Sequence, residues 1–135
     1  MNNTLVLPRP LVNQMLAHAQ QNQQQEVCGL IAQDKHQSMR YVRIDNRAAD
    51  CAHRYQMDDK QLVDSMREFR QNHEKLLAIV HSHPASVAQP SALDIEQSNY
   101  PDVYYLIISL NTRGVLEMRA YKIWRGVVTE IEVHI

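Results

Sequence analysis

The sequence predicts an α/β fold with a mixed central β-sheet flanked by helices. Three observations point there. Residues 76–80 (LLAIV) and 103–110 (VYYLIISL) are continuous apolar runs of strand length, the pattern of strands buried on both faces. Residues 39–45 (MRYVRID) alternate, as a half-buried strand does. Leu11, Val12, Met15, Leu16 and Ala19 recur at helical spacing, so at least one amphipathic helix packs on that sheet.

Taken in order, residues 3–7 read as a short strand punctuated by Pro8 and Pro10, and Pro10 suits a first helical turn. The helix that follows should run to about residue 25, with the QQNQQQ run of 20–25 as its polar end. Residues 27–32 form a short apolar strand and 39–45 the next. Residues 46–53 read as loop and 54–57 as a brief strand. Asp58 or Asp59 caps a second helix, with Leu62, Val63, Met66, Phe69 and Arg70 on its inner side. The 76–80 strand, a short helix over 91–98 and the 103–110 strand follow. Gly114 and Gly126 mark the turns of the last two strands, 115–124 and 127–134. Tyr104, Tyr105, Tyr121 and Trp124 fall in strand patterns, where core packing is their default.

Composition narrows the function classes. At 135 residues the chain suits one domain, 1–135, with a core of ordinary size. The formal net charge of −1 leaves no basic footprint for nucleic acid and no polybasic membrane patch. No apolar run approaches the ~20 residues of a membrane helix, and MNNTLVLPRP lacks the pattern of a signal peptide. A cytoplasmic location is the expectation. Cys28 and Cys51 are too isolated for a disulfide framework. With glycines only at 29, 114 and 126, there is no phosphate-cradling loop.

The segment that carries chemistry is HSHPASVAQPSALD, residues 81–94. Positions i and i+2 of an extended chain project to one face, so His81 and His83 can aim at one spot. Pro84 stops the strand, Pro90-Ser91 opens the next helix, and Asp94 lies in its first turn, where it can face the two histidines. Two neutral imidazoles and a carboxylate make a three-ligand set for Zn²⁺ with a fourth position left for water. Each residue also has a plainer role. Ser91-x-x-Asp94 resembles a capping box, and a histidine at a strand end is an ordinary polar terminus. Both roles of Ser91 are compatible. Cys28 shares a strand face with Glu26 and is a conceivable thiol nucleophile, although a small buried residue is the better reading. A zinc deaminase is excluded because no P-C-x-x-C follows the histidines. His18, His36, His53, His73 and His134 show no ligand spacing and read as surface or locally satisfied residues.

At these residues the chain resembles a family. His81-Ser82-His83, seven residues, Ser91, two residues and Asp94 match the H-S/T-H-x7-S-x2-D signature of the JAMM (MPN+, Mov34-type) metalloproteases. The EVCGL stretch at 26–30 resembles the family's E-x-C-G, and NRAAD at 46–50 with YQMD at 55–58 resembles its N-x-A…F/Y-x-x-D stretch. The resemblance implies a fold related to the cytidine deaminases. It implies that His81, His83 and Asp94 ligate Zn²⁺, that Glu26 holds the attacking water and serves as general base, and that Ser91 donates a hydrogen bond to the developing oxyanion. Taken alone, Glu26 reads as a solvated charge at a helix end. Its role comes from its place in the signature.

The short chain is similar to the stand-alone prokaryotic type, without the long insertions of larger deubiquitinases. The resemblance therefore implies a hydrolase that cleaves after the C-terminal Gly-Gly of a ubiquitin-like or sulfur-carrier protein of β-grasp fold. Three alternatives remain: a hydrolase acting on other peptides, a nucleic-acid-associated protein of RadC type, and a non-catalytic MPN scaffold. RadC-type proteins usually carry HNHPSG where this chain has HSHPAS, and scaffolds have lost ligands that are all present here. The sequence assigns no oligomeric state, and the same ligands also accept Fe²⁺ or Co²⁺.

Overall fold

A computed structural model of the chain describes residues 4–111 and 117–135. The expectations for residue 3, for Gly114 and for the first two residues of the 115–124 strand lie outside the described residues. The elements run β1 (Thr4–Val6), α1 (Arg9–Gln20), β2 (Cys28–Gln33), β3 (Met39–Ile44), α2 (Asp59–Gln71), β4 (Lys75–His83), α3 (Ala92–Glu96), β5 (Tyr104–Ser109), β6 (Glu117–Trp124) and β7 (Val127–His134). Among the described residues, seven strands form one mixed sheet in the order β1-β7-β6-β5-β4-β2-β3. β4 lies between β2, antiparallel to it, and β5, parallel to it. The mixed sheet with flanking helices is the architecture expected from the apolar runs.

Side-chain alternation divides the core into two layers. On one face, α1 lays Leu11, Val12, Met15 and Ala19 against Val27, Ile31, Val80, Leu106 and Ile108. On the other, Phe69 of α2 packs with Cys28, Leu30, Ile79, Tyr105 and Ile107. A bulge interrupts the β2–β4 register between Ile31 and Ala32, so Leu77 has no partner and both Leu77 and Ala78 turn toward the α1 layer. Past the bulge strict alternation resumes, and it directs Ile79, His81 and His83 to the α2 face. Among the described residues, no helix is long and apolar enough to cross a membrane.

Four expectations need correction. α1 ends at Gln20, not near residue 25, and turns follow it. Beyond Ala19 the inner stripe would fall on Asn22 and Gln23, so burial no longer favours helix. Residues 54–57 form no strand; a single bridge joins Asn46 and Met57. The Gln56 N–H that a ladder would use is instead taken by the Asn46 side chain. On α2, Asp58 is the cap, but Val63 is 52% exposed and Arg70 is also exposed. The inner stripe there is Leu62, Met66 and Phe69 alone. Trp124 ends β6 at the turn to β7 and is 54% exposed, with the Arg125 guanidinium over its ring.

Candidate active site

The site forms where β4 ends and the start of β2 passes beside it. Cys28 pairs with His81, so Glu26, two residues earlier, lies on the same sheet face as the histidines. Glu26 is 5% exposed, His81 1% and His83 3%. Ligand atoms of these three residues all lie within 4.8 Å of one another. The loop after β4 returns Asp94 to the same spot. His81 Nε2, His83 Nε2 and Asp94 Oδ2 form a triangle with every edge 3.1 Å.

The chain builds this triangle from local devices. Ser91 caps α3 with a full capping box: its Oγ accepts from the Asp94 N–H, and Asp94 Oδ2 accepts from the Ser91 N–H. The helix cap thus fixes the rotamer of Asp94, and both proposed uses of Ser91 are geometrically open because its own O–H is still free to donate. The loop over 84–90 is held through three of its carbonyls. His83 Nδ1 donates to Val87 O at 2.8 Å, the Ser109 hydroxyl donates to Ser86 O at 2.7 Å, and the Tyr121 hydroxyl donates to Ala88 O. Tyr55 stacks on His81, with ring centroids 4.5 Å apart and planes at 27°.

The donor set fits a divalent cation. A carbonyl only accepts, so Nδ1 of His83 carries a hydrogen and the neutral ring presents a bare lone pair at Nε2. Asp94 Oδ2 presents another. With both rings neutral, His81 can bring at most one hydrogen into the triangle, and three electron-rich atoms then converge with too few protons between them; a bound cation, or a further proton on the His83 ring, makes up the shortfall. Ligand atoms 2.0–2.1 Å from a tetrahedral zinc lie about 3.3 Å apart, close to the edges seen here. Among the described residues, two buried side-chain polar atoms have no hydrogen-bond partner, Glu26 Oε1 and His81 Nδ1. An orphaned carboxylate oxygen beside the triangle is costly unless something polar is to be held there.

The electrostatics follow the same geometry. Burial would push the Asp94 carboxyl up, but hydrogen bonds from His81 and His83 and the charge of His81 outweigh it and hold the group well below the usual carboxylate range. Burial lowers the pKa of His81. For His83 burial also acts downward, yet its bonds to Asp94 and Val87 and the charges of Asp94 and Glu26 carry it up. Burial raises the Glu26 carboxyl from 4.5 to about 7; the charge of His83 opposes the rise and that of Asp94 assists it.

The other candidate, Cys28, is fully buried, its S–H points at the Ile44 carbonyl at 3.3 Å, and burial pushes the thiol up to about 12, which disfavours a thiolate. The roles of Ser82, Asn46 and Tyr55 were not evident from sequence. Ser82 faces away from the histidines and its Oγ accepts the Val27 N–H at 2.9 Å, which clamps the residue after Glu26. Asn46 and Tyr55 lie in the N-x-A…Y-x-x-D stretch, a pattern visible in the sequence without a physical role attached.

Comparison with known proteins decides the family. The profile for prokaryotic homologs of the JAB domain matches residues 8–124, nearly the whole chain. The chain belongs to the prokaryotic JAB family. A CysO-cysteine peptidase of Mycobacterium tuberculosis is 32% identical over 133 residues, covering 97% of this chain and 90% of that protein. A desampylase of Haloferax volcanii is 32% identical over 105 residues, covering 75% of this chain and 70% of that one. Among solved structures, a protein of Desulfitobacterium hafniense superposes with a TM-score of 0.82 at 30% identity, covering 95% of this chain and 90% of that one. A JAB1/MPN domain protein of Archaeoglobus fulgidus superposes at 0.58 with 17% identity over both full chains, which speaks to the shared fold. In this JAB chain both the histidine pair and its carboxylate partners sit on the face opposite α1.

Proposed function

We propose that this protein is a zinc-dependent peptidase or isopeptidase that cleaves after the C-terminal Gly-Gly of a ubiquitin-like or sulfur-carrier protein. The observation that carries the chemistry is the His81, His83, Asp94 triangle with an unpartnered Glu26 oxygen beside it. The substrate class rests on the two relatives named CysO-cysteine peptidase and desampylase.

His81 Nε2, His83 Nε2 and Asp94 Oδ2 would hold the metal. Asp94 is preferred to Glu26 as third ligand because its oxygen lies 3.1 Å from both ring nitrogens, whereas Glu26 falls only within the wider 4.8 Å cluster. When bound there, zinc supplies Lewis-acid polarisation of the scissile carbonyl and an acidified water. Glu26 takes the proton of the attacking water on its carboxylate and returns it to the leaving amine nitrogen. Burial raises this carboxyl in the metal-free protein, the direction that suits a group which both takes and returns a proton. The Ser91 O–H is directed at the carbonyl oxygen as charge develops, and a donor of this kind lowers the barrier by roughly 3–4 kcal/mol. Tyr55 stacks on His81, and the buried Cys28 is the partner of His81 in the neighbouring strand. The carrier's extended tail would add to a strand edge, and β3 is the edge strand whose Ile44 end pairs with Cys28 beside the site.

The test is elemental analysis of untagged protein, followed by a panel of Gly-Gly-tailed carrier fusions read by mass spectrometry. Wild type should hold about one zinc per chain and release the tail; His81→Ala/His83→Ala should hold none. Glu26→Gln should keep the metal and lose at least 10²-fold in rate. Metal-free wild type after incubation with zinc, or full hydrolysis by Glu26→Gln, would overturn the proposal.

A further inference from the structure

Glu26 lies just before β2 begins at Cys28, so the sheet ladder does not hold its backbone. The segment 46–57 holds it instead. The Glu26 N–H donates to Cys51 O at 2.7 Å, and the Glu26 carbonyl accepts from Asn46 Nδ2 at 2.9 Å. Asn46 is the hub of that segment. Its Nδ2 also donates to Arg54 O at 3.0 Å, and its Oδ1 accepts from the Ala48 and Gln56 N–H groups, each at 3.0 Å. Every hydrogen-bonding position of the amide is in use. One side chain therefore joins the outgoing turn, the returning segment and the main chain of Glu26. The same returning segment carries Tyr55, whose ring lies on His81.

We propose that Asn46 is the positioning residue for Glu26: it ties the 46–57 segment to the Glu26 carbonyl and so sets where the carboxylate stands relative to the histidine pair. This rests on the general-base reading of Glu26 above. A base displaced by about 1 Å loses on the order of 10²-fold in rate, so a tether on its main chain matters although Asn46 touches no ligand. The effect belongs to kcat, because Asn46 faces the inside of the segment rather than an incoming tail.

Asn46→Asp separates the tether from the turn. The aspartate keeps an acceptor for the Ala48 and Gln56 N–H groups, but it sets a second oxygen against the carbonyls of Glu26 and Arg54. Asn46→Ala removes all four bonds and serves as the harsher variant. The readouts are zinc per chain, kcat and KM on a Gly-Gly-tailed fusion, amide hydrogen exchange resolved by residue, and the carbonyl carbon resonance of Glu26, the group that accepts from Asn46. Asn46→Asp should keep its zinc and the protection of Ala48 and Gln56. It should move the Glu26 carbonyl resonance upfield as that hydrogen bond is lost, and lose on the order of 10–100-fold in kcat with KM within about twofold. A kcat within about twofold of wild type, or an unchanged Glu26 carbonyl resonance, overturns the proposal. If wild type cleaves no fusion tested, the substrate reading has failed on its own, and the Glu26 carbonyl resonance still decides the role of Asn46.

Discussion

Replacing Glu26 by Gln should make the metal-free protein more stable, and only above mildly acidic pH. The reason is the position of the carboxyl: 5% exposed, with Oε1 unpartnered. Burial is the main cause of its rise from 4.5 to about 7, with the His83 charge acting against it and the Asp94 charge with it. Between these two values the native state holds a proton that the unfolded chain has already released. The native state then binds more protons, so stability falls as pH rises through this window. The interval between 4.5 and about 7 corresponds to about 3 kcal/mol once the group is fully ionised. Glutamine has the same shape and no charge, so it escapes this loss. Urea unfolding of chelator-treated wild type and Glu26→Gln, at steps from about pH 4 to about pH 8, reads the difference directly. The two curves should coincide at the acid end, diverge through the window and stay about 2–3 kcal/mol apart above it. A variant less stable than wild type at about pH 8, or a gap that does not change with pH, would refute the reasoning. The same substitution that is expected to slow hydrolysis would then relieve the fold of a buried, unpartnered charge.

Two further predictions concern the α1 side of the molecule. His18 Nδ1 meets the Tyr41 hydroxyl at 2.7 Å, and burial, helped by the Arg43 charge and opposed by Asp45, lowers its pKa from 6.5 to about 4. Its neutral form is favoured in the fold, so its stability contribution is present above 6.5 and is lost as pH falls toward 4, by about 2–3 kcal/mol; His18→Gln should flatten the wild-type slope over that window in thermal or urea unfolding, and an unchanged slope counts against it. At Gly29, an added Cβ would run into the Tyr41 ring. Gly29→Ala should therefore cost about 2–3 kcal/mol of unfolding free energy through overpacking and the strained His18–Tyr41 bond, but less than about 1 kcal/mol in a Tyr41→Ala background; equal costs in both backgrounds would show that the ring is not the obstacle.

What could be read from sequence is what depends on neighbours a few residues apart. The common face of His81 and His83 follows from a period of two, and the Ser91–Asp94 cap follows from a helix start, so the convergence of three donors was foreseeable from a single stretch of fourteen residues, 81–94. The two apolar runs at 76–80 and 103–110 announced β4 and β5 because strands covered on both faces leave no alternation. The misses came from contacts distant in sequence. Nothing near Glu26 says that Cys51, Asn46 and Ser82 hold its backbone and its neighbour's. The 54–57 segment has strand-like residues, but the amide of Asn46 takes the hydrogen bond a strand would need. Val63 looked internal because it is apolar, and only the packing of α2 shows one stripe facing inward. Nothing near Gly29 says that a ring from β3 crosses it.

The loop between His83 and Ser91 is held through three consecutive carbonyls, those of Ser86, Val87 and Ala88, and each is gripped from a different strand. A carbonyl is common to all residue types, so this grip leaves the side chain at position 87 without duty, and that side chain is 56% exposed next to the site. Position 88 has no such freedom, because Ala88 is fully buried. Divergence in this loop is therefore channelled: residue 87 can change its side chain while the ring orientation of His83 is inherited intact. The atoms of one residue thus answer to different constraints, the backbone to the imidazole it orients and the side chain to the solvent it meets.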